Sequence, residues 1–305
     1  SRLERVIHDH ETQYNQLKSD LNIPNVVQNI DVFHYLNRLE MLNRFLIQQR
    51  PAQLQVEEPV RQALEESTVP QRYLDYSVEL RIRYKVFLLL RSNAPTRTDF
   101  EELLHMLRQH RSELADDTVK ESYTYLRNLC VMMINSGALD LLPVLHAIQK
   151  DNLENGDFYY QGRLSPSSFI SMVVTAIRIK EFEWVGQFLE THQDKIIGDN
   201  ESQDLFRMNK ALHLFAMQQF DDALDMLPEK IDEVVYHLMA RRLEIKIYYE
   251  MQSELLQYKL DAFKMYVSRA AKKFLSDNLR KRNADFGNLL YQIIQAPPGD
   301  PDRAE

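Results

Sequence analysis

Nucleophilic catalysis needs a serine or cysteine held beside a base, usually on a sharp turn. The chain has one cysteine, Cys130, inside Leu129 to Ile134, its longest apolar run. There it reads as a buried core thiol, the usual state of an unpaired cysteine. No G-x-S-x-G elbow presents a serine. Metal binding on a helix wants ligands at i and i+4, whereas His8 and His10 are two apart and His105 and His110 five apart. All nine histidines therefore read as structural or surface groups. A glycine-rich phosphate loop is absent, and with 45 acidic side chains some carboxylates must approach one another by chance. The expectation is a protein without catalytic residues, metal or cofactor.

Three features suit partner contact better than chemistry. Tyr159, Tyr160 and Arg163, with Phe158, occupy the longest expected loop, and exposed aromatic and arginine side chains supply most interface energy. The plainer reading folds these rings back over the core. Tyr123 and Arg127 are four apart and share a helix face, while Tyr125 lies off it. Charge is also uneven. Arg241 to Arg282 holds 11 basic and 5 acidic residues, net +6, whereas Glu181 to Asp204 holds 1 basic and 7 acidic, net −6. Arg269, Lys272, Lys273, Arg280, Lys281 and Arg282 concentrate the positive side. They read either as a solvated face or as a dock for an acidic peptide or another copy's acidic segment.

Composition sets the wider limits. The 305 residues are 44% hydrophobic and 27% charged, a globular balance that supports one large core or two modest ones. Seven glycines are few for a fold built on β-turns or phosphate loops, which disfavours all-β and Rossmann-like readings. A net charge of −8 opposes non-specific nucleic-acid binding, which depends on releasing counterions from phosphates. A lone cysteine forms no internal disulfide and fits a cytoplasmic setting. The apolar runs are too short to cross a bilayer, and Ser1 to Arg5 does not resemble an export signal.

The elements that must position these residues are helices throughout. Helix formers fill Arg2 to Leu21 up to a break at Asn22-Ile23-Pro24. Val32, Leu36, Leu39 and Leu46 define a second helix to about Gln49, stopped by Pro51. A polar connection follows, with a short helix near Val60 to Glu65, then one long helix through Leu74, Val78, Ile82, Val86 and Leu89. Thr98-Asp99 is expected to cap a helix from Phe100 to Leu114, and Asp116 or Asp117 the next, to Asn135. Another spans Ala138 to Leu153, and a loop runs from Asn152 to Pro166. Paired helices then run from Pro166, breaking at Lys180-Glu181 before the one carrying Trp184 and Phe188. Leu205 to Met217 pairs with Phe220 to Leu227, and Val234 to Glu250 with Glu254 to Ala271. Ser276 to Gln295 closes the series before a proline-rich tail expected to be disordered.

Connections of two to six residues force neighbouring helices antiparallel, so the chain is a string of hairpins. Ala211, Leu214, Phe220, Ala223 and Leu227 are spaced 3, 6, 3 and 4 apart. Val173, Ala176, Phe182, Val185 and Leu189 repeat that spacing, as do Cys130, Met133, Leu139, Leu142 and His146. The stretch Ala211 to Leu224 resembles the core of a tetratricopeptide repeat, with its small, aromatic and alanine positions. The copies are offset by 43 and 38 residues where that family uses 34, Cys130 and Val173 stand at its small positions, and the closing proline is missing. The resemblance implies an all-α, right-handed α-solenoid of antiparallel hairpins. Family members that clamp a peptide carboxylate use lysine, arginine and asparagine on the first helices, and here Asn209 alone matches. The expected organisation is a helical region or cap over 1–115, tetratricopeptide-like hairpins over 116–296 and a tail over 297–305. The expected function is a non-catalytic scaffold that binds a protein or peptide along its concave face, with a structural arm of a larger protein as the alternative and an enzyme with a site between helices as the lesser one.

Overall fold

The computed structural model describes residues 22–52, 55–92, 94–198, 200–270 and 275–295. The helix expected over Arg2 to Leu21, the tail over 297–305, and Lys272 and Lys273 lie outside the described residues. The described residues are almost wholly helical, and the chain divides into two compact units between Asp157 and Phe158.

In the first unit, α1 (Ile23–Ala52) begins at the expected break. Pro24 sits in its first turn, where a missing amide costs no helical hydrogen bond. α2 (Glu58–Glu66) is the short helix of the connection. The single long helix expected through Leu74 and Leu89 is two helices, α3 (Gln71–Tyr76) and α4 (Val78–Arg91). Ser77 separates them by adopting an extended backbone and capping α4, its Oγ accepting from the Leu80 amide at 3.2 Å. α5 (Arg97–Gln109) is capped by Thr96, two residues before the expected cap, the Asp99 amide donating to Thr96 Oγ1. α6 (Asp116–Asn135) has Ala115 at its cap position, while Asp116 and Asp117 sit inside the first turn, where their charge meets the positive helix end. A 3₁₀ turn, Leu139–Leu141, leads into α7 (Leu142–Glu154).

The packing of this unit follows chain order. α4 lies against α1, α3, α5 and α6, and α6 against α5 and α7. Leu80, Ile82, Phe87, Leu103 and Leu126 are fully buried between them. Into this apolar interior α4 brings Arg83, 7% exposed, whose Nε donates to Glu79 at 3.1 Å and Nη1 to Glu121 at 2.7 Å. Asn43 of α1 donates to the Arg83 carbonyl at 3.1 Å, so one polar network ties α1, α4 and α6.

The second unit opens with the segment expected to be a loop, which folds into a two-residue hairpin, β1 (Tyr159–Tyr160) with β2 (Arg163–Leu164). Gln161 and Gly162 both have positive φ, as a tight two-residue turn demands, and only Gly162 adopts that geometry without strain. Leu164 is fully buried and forms a parallel bridge with Ile196, its carbonyl accepting from the Ile197 amide at 2.8 Å. The helices are α8 (Pro166–Arg178), α9 (Phe182–His192), α10 (Asn200–Ala216), α11 (Phe220–Met226), α12 (Val234–Glu250), α13 (Leu256–Arg269) and α14 (Asp277–Gln295). Each packs on the next, and α10 also packs on both α8 and α12, two places along in each direction.

One turn recurs at the ends of α6, α8, α10 and α12, and α7 closes the same way at Gly156, φ 79°, before the hairpin. Residues 137, 180, 218 and 252 take left-handed φ values of 110°, 65°, 61° and 52°. At each, the amide of the left-handed residue donates three residues back and the next amide five back: Lys180 to Ile177 and Glu181 to Ala176, Gln218 to Phe215 and Gln219 to Leu214. Gly137 and Ala138, and Gln252 and Ser253, do the same. This is the Schellman closure, which satisfies the last carbonyls and turns the chain back on itself. The turns lie 43, 38 and 34 residues apart, so the two offsets read from the apolar spacing recur in the backbone and a further turn joins them. Because left-handed geometry strains side chains bearing a Cβ, Gln218→Gly and Gln252→Gly are each expected to raise unfolding stability by about 0.5–1 kcal/mol. Equilibrium urea denaturation checks this, and a loss of stability in both would contradict the turn.

The apolar spacing itself holds unevenly. Ala211, Ala223, Val173, Ala176, Val185 and Leu189 are buried. In the copy at 130–146, however, Leu139 is 55% exposed, and Leu141 fills the interior instead, its carbonyl 3.9 Å from Cys130 Sγ. The 3₁₀ turn moves the inward residue two places along.

Candidate partner-binding surface

The expected contact residues fall in different environments. Tyr123 and Arg127 do share a face of α6, but it points into a polar cluster. Arg111 lies over the Tyr123 ring, 5.6 Å from its centroid, and grips Asp157 with both terminal nitrogens at 2.9 and 2.8 Å. Asn152 donates to Asp157 at 3.1 Å, and its Oδ1 accepts from Arg127 Nη1 at 2.5 Å. Arg127 Nη2 also donates to Thr124 at 3.0 Å. Burial pulls the Arg127 guanidinium down to about 10 and pushes the Tyr123 phenol up. These residues fasten α6 to the end of α7, and Tyr123, nearly closed to solvent, has no face left for a partner. Asn209 is likewise removed, at 0% exposed, its amide donating to the Leu205 carbonyl at 2.7 Å. The side chain bonds back along its own helix, a common option for asparagine.

The hairpin splits its aromatic residues. Tyr160, 68% exposed, points to solvent. Tyr159 turns inward and shares a 2.9 Å hydrogen bond with His192 Nε2. His192 stacks on Phe188 at 4.6 Å, and Phe188 stacks on Trp184 at 5.1 Å and tilts against Phe169 at 4.9 Å. The reading in which the rings cover the core thus applies to Tyr159, and that of an exposed loop aromatic to Tyr160. Arg163 is exposed and lines a polar cleft of about 620 Å³ with Gln193, Asp194, Gln203 and Arg207. The cleft joins the hairpin to the start of α10 and mixes two guanidinium groups with a carboxylate and two amides.

His192 adds a pH dependence to this unit. Its Nδ1 lies 2.9 Å from the Phe188 carbonyl, and burial lowers its pKa below 6.5, with Phe188 opposing and Lys195 assisting. Burial lowers His213 and His237 in the same direction. The unfolded chain therefore takes up protons before the folded one does. Stability from these rings is present above about pH 6.5 and drains as the pH falls below it. The second unit is expected to melt lower at pH 5 than at pH 7, and His192→Gln to flatten that slope. A melting temperature unchanged over that interval in the parent chain would refute this.

Among the cations flagged by charge asymmetry, Arg269 and Lys281 are exposed, on α13 and α14. Arg280 is structural: its guanidinium donates to the carbonyls of Val267, Ser268 and Ala270, closing the end of α13. Arg241 and Lys259 are also engaged, each 2.7 Å from the buried Glu244. Counting charges along the chain cannot separate these cations from those that remain at the surface. Burial of Cys130 raises its thiol to about 12, leaving almost no thiolate at neutral pH. Among the described residues, no group of three or more His, Cys, Asp or Glu is placed to hold a metal ion. No helix among them is long and apolar enough to cross a membrane. No protein-family model, curated protein or solved structure matches the chain.

Proposed function

We propose that this chain is a non-catalytic protein-interaction module whose helical hairpins stack, within each unit, as a tetratricopeptide-like α-solenoid and present their first helices to a protein or peptide. The observation that carries this reading is the run of Schellman turns at residues 137, 180, 218 and 252, each leading within a few residues into the next helix, whereas the same closure at Gly156 leads into the hairpin. Packing of α10 on the helices two before and two after it supports the same reading, because stacked repeats bury their first helices against one another. A stack of this kind leaves one face of those helices open along its length, a shape suited to an extended partner. The buried, protonated Cys130 supports a reading without nucleophilic chemistry. A cytoplasmic setting belongs to the proposal, since nothing in the single buried thiol calls for an oxidising compartment.

The test is affinity capture with the full chain from the cell that makes it, followed by reconstitution of any captured protein from purified components. Direct binding of a purified protein or peptide, competed by excess unlabelled chain, supports the reading. Turnover of a small molecule by the pure chain, or a tightly bound cofactor carried through purification, overturns it. The structural-arm alternative predicts no partner outside the chain's own parent assembly.

A further inference from the structure

Two helices of the second unit bring three cations together without an acid to balance them. Arg242 and Lys246 are one turn apart on α12, and Arg282 lies on α14 one turn before Phe286, over whose ring Arg242 sits. None of the three has an ion pair or hydrogen bond among the described residues, in contrast to Arg241, Lys259 and Arg280 beside them. Arg242 lies over the Phe286 ring, its guanidinium carbon 4.6 Å from the ring centroid. Its N–H groups bond to no other described residue, and a free guanidinium edge matches a carboxylate in two-pronged fashion. The neighbouring acids, Glu250 on α12 and Asp285 on α14, are exposed and bonded to none of the three.

The electrostatic cost of this arrangement appears in the titration of the groups. Burial first, then repulsion from Arg282, lowers the Arg242 pKa; Lys246 keeps solvent contact, yet desolvation by the atoms packed around it, then repulsion from Arg242, lowers its pKa too. An anion placed among them relieves both repulsions at once. The dimensions select the kind of anion. Two cations one turn apart on a helix are about 6 Å apart, and a third alongside makes a seat for two or three carboxylates. A polyphosphate backbone or an anionic bilayer needs a broader basic face, and the chain's net charge of −8 repels both.

We propose that Arg242, Lys246 and Arg282 form a seat for a carboxylate-rich segment of a protein partner. This deepens the binding-module reading and rests on it.

The test uses the full chain and a fluorescein-labelled peptide of eight glutamates, followed by fluorescence anisotropy at low and physiological salt. The triple variant Arg242→Gln, Lys246→Gln, Arg282→Gln is expected to bind the peptide at least about tenfold more weakly. A control of equal charge change away from these helices, Lys150→Gln, Lys180→Gln, Lys230→Gln, is expected to stay within about twofold. Circular dichroism and melting confirm that both variants fold; should the triple variant fail to, the single Lys246→Gln, exposed on α12, is compared with the single Lys180→Gln. Equal losses in seat and control variants, or no measurable binding by the parent chain, overturn the seat. So does tighter, seat-dependent binding of inositol hexakisphosphate or short duplex DNA, which would assign it to phosphates. A captured protein partner whose binding survives the triple variant leaves the module reading standing and removes this seat alone.

Discussion

Replacing Arg83 with alanine is expected to cost the first unit about 3–5 kcal/mol, enough to leave many single domains partly unfolded. The expectation follows from what the guanidinium holds. Its two nitrogens bind Glu79 and Glu121, Thr118 Oγ1 adds a 3.2 Å bond to Glu79, and Tyr125 one of 3.3 Å to Glu121. Removing the cation leaves two carboxylates in a region poor in water, where the largely exposed Arg44, 3.4 Å from Glu121, offsets only part of their charge. Tyr125 already reports that environment, since burial and the Glu121 charge raise its pKa well above the usual phenol range. The triple substitution Arg83→Met, Glu79→Gln, Glu121→Gln is expected to recover most of the loss, because it removes the charges together rather than stranding two of them. Urea unfolding of the single and triple variants checks both statements, and a loss below 1 kcal/mol for Arg83→Ala would show that the network carries no weight.

Phe188→Ala is expected to cost the second unit a similar 3–5 kcal/mol. The ring is almost fully buried and touches Phe169, Trp184 and His192, so its deletion opens a cavity and unstacks two neighbours. A second consequence follows from position. His192 holds Tyr159, so loss of Phe188 frees β1, and limited proteolysis is expected to cut sooner within Asp157 to Leu164. Phe188→Leu, which keeps most of the volume, is expected to cost under about 1.5 kcal/mol and leave the hairpin protected. If the leucine and alanine variants unfold alike, the ring stack is not what secures this segment.

The helices and their order were legible in the residues because a side chain returns to the same face every three to four positions, and burial selects for that rhythm locally. The repeat was legible for the same reason at 173–189 and 211–227, where the inward residues stay apolar. It was not legible at the last Schellman turn. Counting 3, 6, 3 and 4 from Ile245 through Tyr248 lands on Glu254, Gln257 and Asp261, whereas the chain buries Leu256 and Leu260. The turn is closed by backbone amides, which carry no side-chain signature, so a shift of one or two residues beyond it leaves the hairpin intact. Ser77 shows the converse, where one side-chain cap splits a continuous apolar pattern into two helices.

The contact surface was less legible than the fold. That Tyr123 and Arg127 share a face follows from helical spacing, but that Arg111, Asp157 and Asn152 arrive from elsewhere to enclose them does not. Arg242 and Lys246 lay within the positive run yet were not distinguished from Arg241 and Lys259, since all four read alike as basic residues on helices.

By itself, then, the order of residues determined which stretches are helices, where the chain reverses, and that Cys130 lies inside, because these depend on neighbours within a turn or two. Which charges are neutralised was decided only when distant helices met. An ion pair depends on distances of 3 to 4 Å between residues that can lie tens of positions apart, as Arg83 and Glu121 do, and only packing sets those distances.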